Sequence, residues 1–173
     1  FYHWQKKPIL NYKKEVIDIV QFGSSTIEGK EPKDMDIAVI FNQIPLKEQL
    51  NQSQEIKSHL QEMTNLPIHI TSFDLNSLFH EGNFAKEGIL FYGISLIKEE
   101  SFAKRFNLNP KIQISYKLND KDKKDKVRFN YLLNGKGKKY GLLRKHGGAI
   151  INPGLIEIEP SKESIFLEAI KKI

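Results

Sequence analysis

The sequence predicts an α/β (α+β) fold: strands and helices alternating through residues 1–106, then a small basic α+β module over residues 111–173. Three observations carry this. The apolar runs Val16–Phe22, Met35–Phe41 and Ile68–Phe73 have strand length and end at turn residues. Between the second and third lies a stretch of helical periodicity, Leu46–Thr64, opened by Pro45 and ended by Asn65 and Pro67. Near residue 107 the character changes: Asn107-Leu108-Asn109-Pro110 reads as a linker, and the chain beyond it turns basic.

Taken in order, Pro8–Lys14 reads as a short helix or turn, and Gly23–Lys33 as a polar loop punctuated by Gly29 and Pro32. The helix Leu46–Thr64 is expected to bury Leu46, Leu50, Ile56, Leu60 and Met63. Asn76–Glu87 reads as mixed helix and turn, Ile94–Ile97 as a short strand and Ser101–Phe106 as a brief helix. In the second part, Ile112–Tyr116 alternates like a strand. Asp120–Leu133 places Val127, Tyr131 and Leu132 on an apolar stripe. Gly135–Lys139 is a basic turn, and Gly141–His146 a short helix capped by Gly147-Gly148. Ala149–Ile151 and Leu155–Glu159 form a hairpin around Asn152-Pro153-Gly154. Pro160-Ser161 opens a last helix with Ile165, Phe166, Ala169 and Ile170 inward. Helix, helix, hairpin, helix is loosely winged-helix-like, the kind of small module that binds nucleic acid.

Composition narrows the class. A chain of 173 residues with 39% hydrophobic and 10% aromatic content can bury a core and is not wholesale disordered. The absence of cysteine excludes a disulfide framework and a thiolate zinc site. No apolar run has bilayer-crossing length and no signal-peptide pattern opens the chain, so a soluble cytoplasmic protein with no membrane partner is expected. The chain opens on Phe1, which reads as the interior of a longer protein or a processed start; Leu167–Ile173 reads as a helix that continues past the given end.

The net charge of +6 is concentrated. Residues 111–146 carry 12 Lys/Arg against 3 Asp/Glu, a net +9, whereas residues 1–110 carry 12 against 14, a net −2. A local positive field of this kind favours RNA or DNA as the partner of 111–146, with Lys136, Lys138, Lys139, Arg144 and Lys145 as the contact residues and His146 beside them. Lysine outnumbers arginine here, which suits phosphate contact more than base reading. The alternative is a solvated lysine-rich surface.

Chemistry concentrates at two short motifs. The run Val16–Phe22 delivers Gly23-Ser24-Ser25 into a turn, and Asp34-Met35-Asp36 opens the next run. Residues i and i+2 of a strand share a face, so Asp34 and Asp36 project together at the strand end nearest the turn. Two carboxylates that close call for a cation between them; a hard divalent ion, Mg2+ or Mn2+, prefers oxygen ligands and accompanies phosphates. The small residues and free amides of the turn suit a phosphate. The alternative is a hairpin with solvated aspartates.

The pattern of an apolar residue, Gly-Ser, a spacer of about ten residues and Asp-x-Asp at a strand head resembles the DNA polymerase beta-like nucleotidyltransferase superfamily, above all its minimal members, over roughly residues 9–100. The resemblance implies a mixed sheet with helices on one face and a metal site at its exposed end. It implies a nucleoside triphosphate bound by Gly23, Ser24, Ser25 and Lys33 (with Lys30 nearby), and metals roughly 4 Å apart held by Asp34 and Asp36. A nucleoside monophosphate would pass to an RNA end, a protein side chain or a small molecule. Active members carry a third acid on a later strand; here His69 stands in that position, in Leu66–Thr71. Imidazole is a poor magnesium ligand. His69 is therefore read as a general base or as an inert strand residue, with Asp74 as a substitute acid. His3, His59 and His80 read as surface residues. Two further roles stay open: a catalytically reduced scaffold that binds nucleic acid, and an antitoxin-like role with a companion protein. No toxin-type Arg-x4-His motif is present.

Overall fold

The two apolar runs flanking the Gly-Ser turn fold against each other. In the computed structural model, which describes residues 3–8 and 10–172, Val16–Phe22 (β1) and Met35–Phe41 (β2) are antiparallel neighbours in a five-stranded sheet. Ile68–Asp74 (β3) lies parallel to β2, and the helix Leu46–Gln61 (α1) makes the crossover that a parallel pair requires. The short strands Ile94–Ser95 (β4) and Glu100–Ser101 (β5) complete the order β3-β2-β1-β4-β5.

The sheet is mixed and carries helices, as the sequence predicts, but the helices divide between its faces. Ile37, Val39 and Phe41 of β2 join Ile56 and Leu60 of α1 in one apolar cluster. Ala38 and Ile40 join Leu78 of Leu75–Phe79 (α2), Ile89 of Ala85–Tyr92 (α3) and Phe102 of the 3-10 turn Phe102–Phe106 in another. Successive side chains of β2 from Ile37 onward thus enter different cores, and Ile37–Phe41 reads as one unbroken apolar run. Each of the larger side chains among them (Ile, Val, Leu, Phe) contributes about 1.5–3 kcal/mol by leaving water. Asp18, fully buried on β1, ties that strand to its neighbours: it accepts from Ser95 Oγ at 2.7 Å and from Arg105 Nε at 2.5 Å.

Helix α1 corrects the expected stripe. Ile56 and Leu60 are buried, but Leu46 is 65% and Leu50 49% exposed, and Gln49, Gln52 and Ser53 are buried instead. Positions 49, 52, 53, 56 and 60 follow the helical period together; Leu50 falls outside that stripe, and Leu46 keeps the period but is the first residue of the helix and stays exposed. Gln49 tolerates burial because its Nε2 donates to Ile44 O at 3.0 Å. The helix stops at Gln61, three residues before the expected end. Around the expected Pro8–Lys14 element, Lys14 begins a turn and Ile9 lies outside the described residues.

The chain divides into two compact units, Phe1–Thr26 with Lys30–Asn109, and Ile27–Gly29 with Pro110–Ile173. In the second, Ile112–Ser115 (β6), Ala149–Asn152 (β9) and Leu155–Ile158 (β10) form an antiparallel sheet of order β6-β10-β9. Asp122 caps Lys123–Asn134 (α4), accepting from Asp125 N–H at 2.7 Å. The hairpin Gly135–Lys136 (β7) and Lys139–Tyr140 (β8) leads to Leu142–His146 (α5), closed by Gly147 in the left-handed region at φ +74°. The last helix is Glu163–Lys171 (α6), and Ile173 lies outside the described residues. The core is Phe129, Leu133, Leu143, Ile156, Ile158 and Phe166. The expected α4 stripe is displaced: Val127 and Tyr131 are each 41% exposed, and Phe129 and Leu133 are the buried pair. Both pairs satisfy i, i+4 spacing, and the face carrying the larger apolar volume turns inward. Ile165, Ala169 and Ile170 of α6 are half-buried around Phe166.

Candidate metal and phosphate site

Asp34 and Asp36 flank Met35, which is fully buried and pairs across the parallel register with buried Ile68. Alternation then sends Asp36 and its register partner His69 to the opposite face. His69 Nδ1 lies 3.6 Å from Asp34 Oδ2 and 3.8 Å from Asp36 Oδ1. These are too long for hydrogen bonds. One donor atom from each of the three residues lies within 4.8 Å of the other two, a spacing that a divalent cation with ligand distances of about 2.1 Å can bridge after small side-chain rotations. The donor set therefore fits such an ion. All three side chains reach solvent: 37% for Asp34, 35% for Asp36 and 64% for His69.

The charge balance matches this geometry. Burial chiefly, and the charge of Asp34 after it, raise the Asp36 carboxyl above its ordinary 3.8, while His69 opposes the rise. The acids are held where they repel each other.

The turn abuts the acids. Phe22, the last residue of β1, pairs with Asp36, so the chain enters the 3-10 turn Gly23–Thr26 directly beside that carboxylate. Gly23 is required twice over. Its φ is +74°, and a Cβ there would stand 2.5 Å from Asp36 Oδ2. Thr26 Oγ1 donates to Gly23 O at 2.8 Å, and Ser25 Oγ to Phe22 O at 3.2 Å. Ser25 is 1% exposed and its hydroxyl serves the turn itself; Ser24, half-buried, is the serine nearer solvent. Lys33 and Lys30 are exposed in the spacer.

One residue of this arrangement escapes the motif. Gln21, buried in β1, donates through Nε2 to Ser25 Oγ at 3.1 Å and Ser25 O at 3.3 Å, and accepts from Trp4 Nε1 at 2.8 Å. It braces the turn from beneath. The signal in the sequence was a lone amide within an apolar strand.

Asp74 is no substitute acid. It closes β3 opposite Phe41, five residues from His69, or about 16 Å along a strand. There it caps α2, accepting from Ser77 N–H at 2.8 Å. His3 and His80 are exposed and His59 is half-buried. In the second unit Lys136, Lys138, Lys139, Arg144 and Lys145 are all exposed, and His146 packs edge-on against Phe166. Among the described residues no helix is long and apolar enough to cross a membrane.

No protein-family model, no curated protein and no solved structure matches this chain.

Proposed function

We propose that this chain is a metal-dependent nucleotidyltransferase of the DNA polymerase beta-like kind, moving a nucleoside monophosphate from a triphosphate to an acceptor. The observation that carries the reading is the convergence of Asp34, Asp36 and His69 beside the turn at Gly23. Bound Mg2+ or Mn2+ would supply charge neutralisation and polarise the transferring phosphoryl group. The chain's own residues supply the rest. Asp34 and Asp36 hold the cation, and the backbone amides at Gly23-Ser24 with the Ser24 hydroxyl receive phosphate oxygens. Lys33, directly before Asp34, adds positive charge for the leaving pyrophosphate. His69 turns Nδ1 toward the two carboxylates, where it joins them as a nitrogen ligand of the cation. Triphosphate chemistry of this kind implies a cytoplasmic protein.

An imidazole in place of a third carboxylate lowers the negative charge of the site and adds a nitrogen donor. Mn2+ accommodates nitrogen better than Mg2+, so turnover with Mn2+ exceeds turnover with Mg2+. The same residue supports a second reading, a catalytically reduced scaffold in a regulatory or antitoxin-like role with a protein partner. Incubation with each of the four labelled nucleoside triphosphates separates them. Metal-dependent label transfer or pyrophosphate release, falling about a thousandfold or more in Asp34→Ala and Asp36→Ala, supports the enzyme. Mn2+ binding with no turnover of any triphosphate supports the second reading.

A further inference from the structure

We infer that the β7–β8 hairpin and its flanking helices form a binding site for single-stranded nucleic acid, in which bases stack on Tyr131 and Tyr140 and the phosphates meet Lys136, Lys139 and Lys145. These five residues line a pocket of about 320 Å³. That volume lies within the range of small-ligand sites. Its walls combine the two chemistries that a splayed nucleotide presents, a π-face and an anion.

The rings are open to solvent: Tyr131 is 41% and Tyr140 55% exposed. Large aromatic rings left this exposed beside cations are available for stacking. Each already carries a cation. Lys136 Nζ stands 5.1 Å from the Tyr131 ring centre, and the Arg144 guanidinium 3.9 Å from that of Tyr140. A guanidinium stacked on a ring extends the flat platform that a base would use.

The charge is unopposed along the segment itself, and the nearby carboxylate from another element is Glu168 of α6, which shares a second pocket with Tyr131 and Leu132. From Tyr131 to His146 the chain has five Lys/Arg and no Asp or Glu. The three acids of residues 111–146 (Asp120, Asp122 and Asp125) gather at the far end of α4, where Asp122 caps the helix and Asp125 pairs with Arg128. Nine residues of helix, about 13 Å, separate Asp125 from Asn134 at the hairpin end. Close backbone packing fixes the hairpin against α4: a Cβ on Gly141 would stand 2.2 Å from Leu133 O. The rings and lysines are therefore presented on a braced support.

A single strand is favoured over a duplex because stacked, paired bases have no free face to offer a tyrosine. The site lies wholly within the second unit and does not depend on the metal chemistry of the first.

The test is fluorescence anisotropy of the full chain, without metal, against labelled 12-mer single strands of RNA and DNA and against the matching duplexes. Single strands of either sugar should bind at least about tenfold more tightly than duplex. Lys136→Ala/Lys139→Ala/Lys145→Ala should reduce the slope of log affinity against log salt by about 2, at roughly 0.7 per phosphate contact. Tyr140→Ala should weaken single-strand binding about tenfold with the slope unchanged, and Tyr140→Phe should restore it. Asp34→Ala/Asp36→Ala should bind like wild type, which separates this site from the proposed catalytic one. Equal or tighter binding of duplex, an unchanged salt slope in the triple variant, or an indifferent Tyr140→Ala with native circular dichroism would each overturn the proposal.

Discussion

Gly23 and Asp36 show what single residues decide in this molecule. The backbone at Gly23 occupies the left-handed region, and the space where a side chain would begin is taken by the Asp36 carboxylate. Gly23→Ala should therefore cost about 1–3 kcal/mol in backbone strain, lowering Tm by several degrees, and push Asp36 away from Asp34. Thermal unfolding and Mn2+ affinity, measured together, should both fall; an unchanged affinity would mean that the carboxylate does not need that gap. Asp36 itself carries a stability penalty. A carboxyl with a raised pKa binds its proton more tightly in the folded state. Its contribution is then fully present below the unfolded value and is lost as pH rises through the folded one. In chelator at neutral pH, Asp36→Asn should melt above wild type, and the gap should shrink as pH falls toward 3.8. A lower Tm for the variant at neutral pH would contradict this. The Gly-Ser turn and the paired acids were legible because each is contiguous in sequence. Gln21 was not, because its role depends on Ser25 and Trp4 closing around it.

At the scale of elements, strands were easier to read than helix faces. A buried strand needs only an apolar run, and β1, β2 and β3 start where expected, with only β3 reaching one residue further. A helix also has a phase, and two phases can fit the same residues. In α1 the winning face buries two glutamines and a serine while exposing two leucines, an outcome that depends on what Ile44 and β3 present to it. In α4 Phe129 is 3% exposed and Val127 41%. Phe129→Ala should thus cost about 3–5 kcal/mol, against under about 1 kcal/mol for Val127→Ala. Chemical denaturation of the two variants measures the difference, and equal losses would place the wrong face inward. His69 was found by strand position, but its distances to both acids rest on the parallel register, which α1 sets by returning the chain.

The whole chain divides where its composition shifts, with one exception. Ile27–Gly29, from the spacer between the Gly-Ser turn and the acids, belong to the second unit: Ile27 is 7% exposed and Glu28 N–H donates to Ser161 O at 2.8 Å. No local pattern signals this, since the partners lie more than a hundred residues away. A chain ended at Asn109 strips Ile27 of its surroundings, and its thermal unfolding should begin several degrees below that of the full chain; an identical Tm would show that the spacer's packing contributes nothing. The uneven charge is also a property of the whole: the net +6 arises from residues 111–146, while the part bearing the acids is slightly negative.

The central claim is that Asp34, Asp36 and His69 grip a divalent cation in the company of a triphosphate. Titration with Mn2+, followed by loss of the free-ion electron paramagnetic resonance signal, addresses it directly. Wild type should bind Mn2+, more tightly when a nucleoside triphosphate is present, and Asp36→Asn should lose that binding by a factor of about ten or more. Mn2+ binding equal in wild type and variant, or absent from both with triphosphate present, would contradict the account.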